Sequence, residues 1–342
     1  RRAICKSMSK FWIILLFGLS SAVAQNDLVP AALGLRTDKQ GNSWNFQQNG
    51  ALGRIGSSMM NAGMALYIDN RQFYTQKPLM TKDGKEFVLP TRSGANLSGL
   101  FVTRRIRLDD KLGVVRYLEV FHNPTAQAIA ANVEIRTNFS GNYKAYVTDA
   151  GNSGKTVLSS KETGIVVSPS ATNQRSAFVF GLRSPQSRLK PTIASQSRYV
   201  LSSHFQVSVP AGETVCLLHT ISQVPVPANL DRKTRATLFR PVALHRQLSS
   251  IPKDLRSKIA NFTLGEEAQG LALLSATSID RLGVRRGRKD VLAVGDSTRL
   301  VGSSACAKLT IGTSFGEAEV AFEEVAALVG GNRGRRDRSK LF

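Results

Sequence analysis

The chain has 342 residues, 42% of them apolar and 20% charged, and a formal net charge of +22. That length holds about two domains of ~100–200 residues each, and the composition excludes a disordered or low-complexity chain. The excess of Lys and Arg suits an anionic partner or a well-solvated surface. Its spread along the chain, without interleaved aromatics, argues against nucleic acid.

In chain order, Met8, Ser9 and Lys10 precede an apolar run at 11–19 (FWIILLFGL) and small residues ending in Ala22, Val23 and Ala24. This is the order of a secretory signal peptide over 8–24, and it predicts an exported protein starting near Gln25. The run is far shorter than the ~20 residues that span a bilayer, so no transmembrane span is expected after cleavage. Cys5 lies upstream of the leader, leaving Cys216 and Cys306, each in an apolar strand pattern. A buried free thiol is the commoner fate there, with a bridge between them the alternative.

Residues 25–74 are rich in Asn, Gln, Gly and aromatics. Trp44, Asn45, Gln47, Tyr67 and Tyr74 are the candidate ligand-binding residues, because a flat ring can stack on a sugar while side-chain amides bond its hydroxyls. The competing reading is that these aromatics fill the end of a β-sandwich. Asp83 and Gly84 mark a hairpin turn between strands at 79–81 and 86–89.

The region 97–139 reads as three consecutive strands joined by two short turns. Leu100, Val102, Ile106 and Leu108 recur at period two, and DDKLG at 109–113 turns the chain. Residues 114–121 are apolar on both parities, as expected of a strand covered on both faces. Residues 129–139 then alternate Ile129, Ala131, Val133, Ile135 and Phe139 with Asn132, Glu134, Arg136 and Asn138. Short strands separated by Gly, Pro, Asn and Ser continue to 221, where 205–209 and 215–221 form a predicted hairpin across PAGE. The fold class is all-β dominated, with a large antiparallel β-sandwich over 25–230.

Composition then changes. A short helical connector is predicted over 231–285, with Asp231 as an N-cap and a basic amphipathic helix at 250–262 whose Ile251, Leu255, Ile259 and Phe262 pack on the sandwich. A small C-terminal β-barrel-like module follows over 286–331. A polar, basic tail at 332–342 ends abruptly, and the reading frame is expected to continue beyond Phe342.

The run TRRIRLDDKLGVVRYLEVFHNPTAQAIAANVEIRTN, with the later FQVSVPAGETVCLLHTIS, resembles the large "supersandwich" domains of exported bacterial proteins, including the galactose mutarotase-like group. The resemblance covers 35–223 and rests on strand rhythm and turn placement. It implies a carbohydrate enzyme or a non-catalytic carbohydrate module, and it places no catalytic His or Glu of that group on a position of this chain. Residues 290–330, with TRLVG and LTIGTSFGEAEV, are similar to small SH3-like or Sm-like barrels, without an RNA-contacting signature.

No catalytic residue, metal site or cofactor is assigned. Gly312 to Gly316 spell G-x-S-x-G, but the alternation that follows them is that of another strand, where a nucleophile elbow needs a helix. The histidines lack a second ligand at zinc spacing. The sequence therefore predicts an exported, non-catalytic binding or structural protein with carbohydrate as ligand class. One alternative is a sandwich-type carbohydrate enzyme, which requires two carboxylates, or a His and a Glu, converging in one cleft. Another is an envelope protein held to an anionic polymer.

Overall fold

The computed structural model describes residues 28–54, 60–75, 77–91, 97–154, 156–171, 173–185 and 187–262, and the backbone of six short strands between 290 and 341. The predicted leader at 8–24 and the connector beyond 262 lie outside these residues, as does Cys306.

Two antiparallel sheets face each other. The first runs in the order β1 (Leu28–Pro30), β7 (Leu79–Thr81), β8 (Glu86–Pro90), β9 (Phe101–Asp109), β10 (Val114–His122), β17 (Thr214–Pro225), β14 (Ser176–Gly181), β13 (Gly164–Pro169) and β12 (Tyr143–Thr148). The second runs β15 (Thr192–Ser197), β16 (Val200–Val209), β11 (Ile129–Phe139), β5 (Met60–Ile68), β4 (Leu52–Gly53), β3 (Ser43–Phe46) and β2 (Leu35–Thr37), with β6 (Arg71–Gln72) added to β5.

Alternation decides which side chains enter the space between the sheets. Ala131, Val133, Ile135 and Phe205 from the second sheet meet Val102, Ile106, Tyr117, Phe121, Phe178 and Ile221 from the first in one core cluster. β10 is apolar on both parities because both of its faces are covered. Val115 and Tyr117 point into that core, while Val114 and Leu118 belong to clusters on the outer face. β9 and β10 form the expected hairpin, with Gly113 at φ +62°, a conformation L side chains rarely adopt.

The expected hairpin across PAGE and the second of the two short turns in 97–139 are instead crossings between the sheets. β10 pairs with β9 and β17, whereas β11 pairs with β16 and β5, so the turn at Asn123 and Pro124 carries the chain across the sandwich. The PAGE turn does the same between β16 and β17. Each strand thereby gains a partner along nearly its whole length in its own sheet. Asn123 clasps the two crossings: its Nδ2 donates to Val209 O at 2.9 Å and Gln127 O at 2.7 Å, its backbone N–H donates to Glu213 O at 3.0 Å, and its Oδ1 accepts from Thr125.

The outer face of the first sheet is covered by the connector. In α1 (Arg232–Val242), Asp231 accepts from Thr234 N–H at 2.7 Å, as its N-cap position predicts. Phe239 and Val242 pack on Val166 and Val179. Gly181 permits the approach, since a Cβ there would strike the Val242 carbonyl. The predicted helix at 250–262 is shorter than expected. A 3₁₀ segment (Leu244–Ser250) leads into α2 (Lys253–Arg256), while Ile251, Leu255 and Ile259 still pack on Leu118, Cys216 and Leu218. The helix stops because Lys258 to Ala260 form a parallel bridge with Cys216 instead. Asn261 extends that ladder with its amide, donating to Leu218 O and Leu182 O and accepting from Leu218 N–H. Cys216 is a buried free thiol, pushed up to about 12 mainly by burial.

Among the described residues, the C-terminal strands do not close a barrel. β18 (Asp290–Val294) pairs with β19 (Thr298–Gly302), β20 (Lys308–Thr313) with β21 (Gly316–Ala321), and β22 (Leu328–Gly331) with β23 (Arg338–Leu341), each as a separate hairpin. Local turns suffice for hairpins, whereas closure needs register carried from one hairpin to the next. The last hairpin also draws part of the predicted tail into a strand. In the G-x-S-x-G stretch, Thr313 pairs with Gly316, so the chain turns from strand to strand.

Candidate functional site

The three apolar clusters fill the space between the sheets and the outer face of the first sheet. The outer face of the second sheet carries polar residues instead. Cross-strand register sets a row there: Gln72, Tyr67, Glu134, His204 and Thr192, contributed by β6, β5, β11, β16 and β15. Five strands at ~4.8 Å spacing make this row about 19 Å wide, the scale of an oligosaccharide.

Glu134 lies at its centre. Arg136, two residues along the same strand and therefore on the same face, grips it with Nε to Oε1 and Nη2 to Oε2, both at 2.8 Å. Ser202 Oγ donates to Oε1 at 2.5 Å. The guanidinium lies 4.1 Å from the centroid of the Tyr67 ring, over its face. Burial works to raise the Glu134 pKa, but the hydrogen bonds from Arg136 and Ser202 outweigh it, and the carboxyl is held below its ordinary value. The same pair holds the Arg136 guanidinium above its ordinary value, chiefly through the hydrogen bond to Glu134. Glu134 and Ser202 are themselves buried, 2% and 0% exposed, so the patch presents Tyr67 and Arg136 to solvent over a fixed, charged, hydrogen-bonded floor.

Adjacent groups extend it. Tyr74 is 62% exposed and its hydroxyl donates to Gln72 Oε1 at 2.9 Å. Gln206 Nε2 lies 3.3 Å from Asn132 Oδ1 on the neighbouring row. Among the described residues, no group of three or more His, Cys, Asp or Glu side chains could hold a metal ion.

The predicted residues divide. Trp44 does not belong to this face: it is 2% exposed, sits in the core and donates Nε1–H to Asp38 Oδ2 at 3.0 Å. Its neighbour Phe46 is likewise internal, so the packing alternative holds for both. Asn45 alternates with them and faces outward, paired with Gly53, where its Nδ2 and Gln47 Nε2 converge over the glycine. Gly53 continues through Ala62 to Asn138, four residues along β11 from Glu134, so this amide pair shares the face about 13 Å along the strand direction and two to three strands to the side. Tyr67 and Tyr74 fall in the patch itself. Sequence reasoning missed Glu134, Arg136, Ser202, His204 and Gln72. The signal available was the outward half of the alternation at 129–139.

No family model matches the chain, and no curated protein matches it. Among solved structures, a protein described as a kojibiose phosphorylase from the human microbiome aligns at 9% identity and TM-score 0.35, covering 67% of this chain and 29% of that one. An α-galactosidase from Lactobacillus brevis aligns at 11% and 0.32, covering 63% and 29%. A galactose mutarotase-like protein from Lactobacillus casei aligns at 9% and 0.30, covering 58% and 84%. The chain thus spans under a third of the length of the first and second of these. At such scores the overlaps assign neither family nor activity.

Proposed function

We propose that this chain is an exported carbohydrate-binding protein that takes an oligosaccharide across the outer face of its second sheet, without transforming it. The observation that carries the reading is the Tyr67–Arg136–Glu134–Ser202 assembly. It combines an aromatic ring with a carboxylate and a guanidinium whose geometry is fixed before any ligand arrives, in a row several strands wide. A saccharide offers apolar C–H faces and a rim of hydroxyls, and these groups match both. Export rests on the leader pattern at 8–24. Binding is favoured over catalysis because Glu134 is held in its charged form by two donors, which suits hydrogen bonding and not proton delivery.

The test is a glycan array and titration calorimetry with the chain starting at Gln25. Tyr67→Ala and Glu134→Gln should each weaken binding of the retained glycan about tenfold, equivalent to ~1.4 kcal/mol. Tyr74→Ala should weaken it less. Retention unchanged in all three variants, or glycan breakdown during incubation, would overturn the reading.

A further inference from the structure

A second polar cleft lies on the opposite side of the molecule, where the connector crosses β8 and β9. Its volume is about 310 Å³, and Glu86, Arg105 and Arg107 line it from the sheet while Ser249, Ser250 and Ile251 line it from the 3₁₀ segment and its end. Cross-strand register puts Glu86, Arg107 and Arg116 in one row, with Arg105 one row away on the same face. The row carries more positive charge than it can neutralise. Arg116 is wholly buried and bonds Glu86 Oε1, while Arg105 bonds Oε2 through both Nε and Nη2. Both oxygens of the single carboxylate in the row are thereby occupied. The Arg107 side chain is left with no hydrogen bond or ion pair to any described residue, and Nε and Nη1 of Arg116 are buried without a partner.

Asp83 at the rim, a second carboxylate that feels the Arg107 charge, leaves three guanidiniums facing two carboxylates, with one positive charge in excess. Its Oδ1 is taken by Thr81 Oγ at 2.6 Å and Lys85 N–H at 3.1 Å, which fix the β7–β8 turn. The cleft therefore has a guanidinium floor, hydroxyl-bearing walls and an apolar side at Ile251. A guanidinium fork matches two oxygens of one tetrahedral or planar oxyanion.

We propose that this cleft is an oxyanion-binding site, taking a phosphate, sulfate or carboxylate group through Arg107 and Arg105, with the Ser249 hydroxyl as a further contact; the Ser250 hydroxyl already donates to Gln247 O. It is independent of the carbohydrate patch. The ligand group comes either as a free anion or as a substituent on an acidic polymer.

The experiment titrates the full chain with sodium phosphate and sodium sulfate, read by calorimetry, with sodium chloride holding ionic strength constant. Arg107→Ala should weaken phosphate and sulfate binding at least tenfold, and Arg107→Lys, which keeps the charge but loses the fork, should fall between it and the parent. Lys161→Ala, an exposed cation on another strand connection, should change binding less than twofold. A parallel titration with a sulfated polysaccharide separates the sources: the same Arg107→Ala loss there assigns a polymer-borne group, and a loss confined to the inorganic ions assigns a free anion. Arg107 is unpartnered, so its variants should keep the parent circular dichroism spectrum and melting temperature. Equal responses of Arg107→Ala and Lys161→Ala, or phosphate indistinguishable from chloride, would overturn the proposal. Tyr67→Ala should leave phosphate binding unchanged, which keeps this result separate from that of the carbohydrate patch.

Discussion

At the scale of single residues, the most consequential group outside either proposed site is a buried ionic cluster between the sheets. Arg104 on β9 bonds Glu119 Oε1 at 3.0 Å, reaches across to the Met64 carbonyl of the second sheet, and stacks 4.5 Å from the Tyr117 ring centroid. Met64 can offer that carbonyl because a bulge in β5 holds it at φ +59°. His219, fully buried, lies parallel to Tyr117 with Nε2 3.2 Å from Glu119 Oε1. Burial outweighs the carboxylate and lowers the His219 pKa below its ordinary 6.5. The unfolded chain therefore binds a proton before the folded one does, and stability drops as pH falls below about 6.5. The slope from this one group is at most about 1.4 kcal/mol per pH unit. His219→Gln should flatten the curve of urea midpoint against pH between about pH 7 and 5. An unchanged slope would show that other groups dominate. Glu119→Gln leaves the Arg104 charge unpaired in a dry core and should destabilise by about 3–5 kcal/mol in equilibrium unfolding.

At the scale of elements, the strands were legible and their assignment to sheets was not. Alternation at 129–139 shows which side chains are dry, because one buried face leaves a period of two. Turn chemistry at PAGE or at Asn123 and Pro124 is local, and it serves a hairpin and a crossing equally well. The choice depends on partners tens of residues away, such as β11 for β16 and β10 for β17. The site divided for the same reason. Trp44 and Asn45 are neighbours of the right types, yet they point to opposite faces, and only pairing shows which face is open. Glu134 and Arg136 were visible as the outward half of a strand, but not as partners of Tyr67 and Ser202. Asn123→Ala tests the crossings: it strips bonds from Val209, Gln127 and Thr125 together and should cost about 2–3 kcal/mol in unfolding free energy. Gly181→Ala tests α1, where the added methyl displaces the Val242 carbonyl. A loss of about 1–3 kcal/mol is expected, with faster proteolysis in the connector.

At the scale of the whole molecule, the two outer faces are used differently. The connector covers much of the first sheet with apolar side chains, and the second sheet presents Tyr67 and Arg136 outward above the buried Glu134. The way Asn261 completes the ladder bears on production. Asn261, Phe262 and Thr263 form an acceptor for N-linked glycans, and a eukaryotic secretory host would meet it before the side chain is enclosed. An oligosaccharide attached there could not be accommodated against Leu182 and Leu218. Expression in such a host should yield glycosylated, retained material, while a bacterial periplasm should release the folded protein.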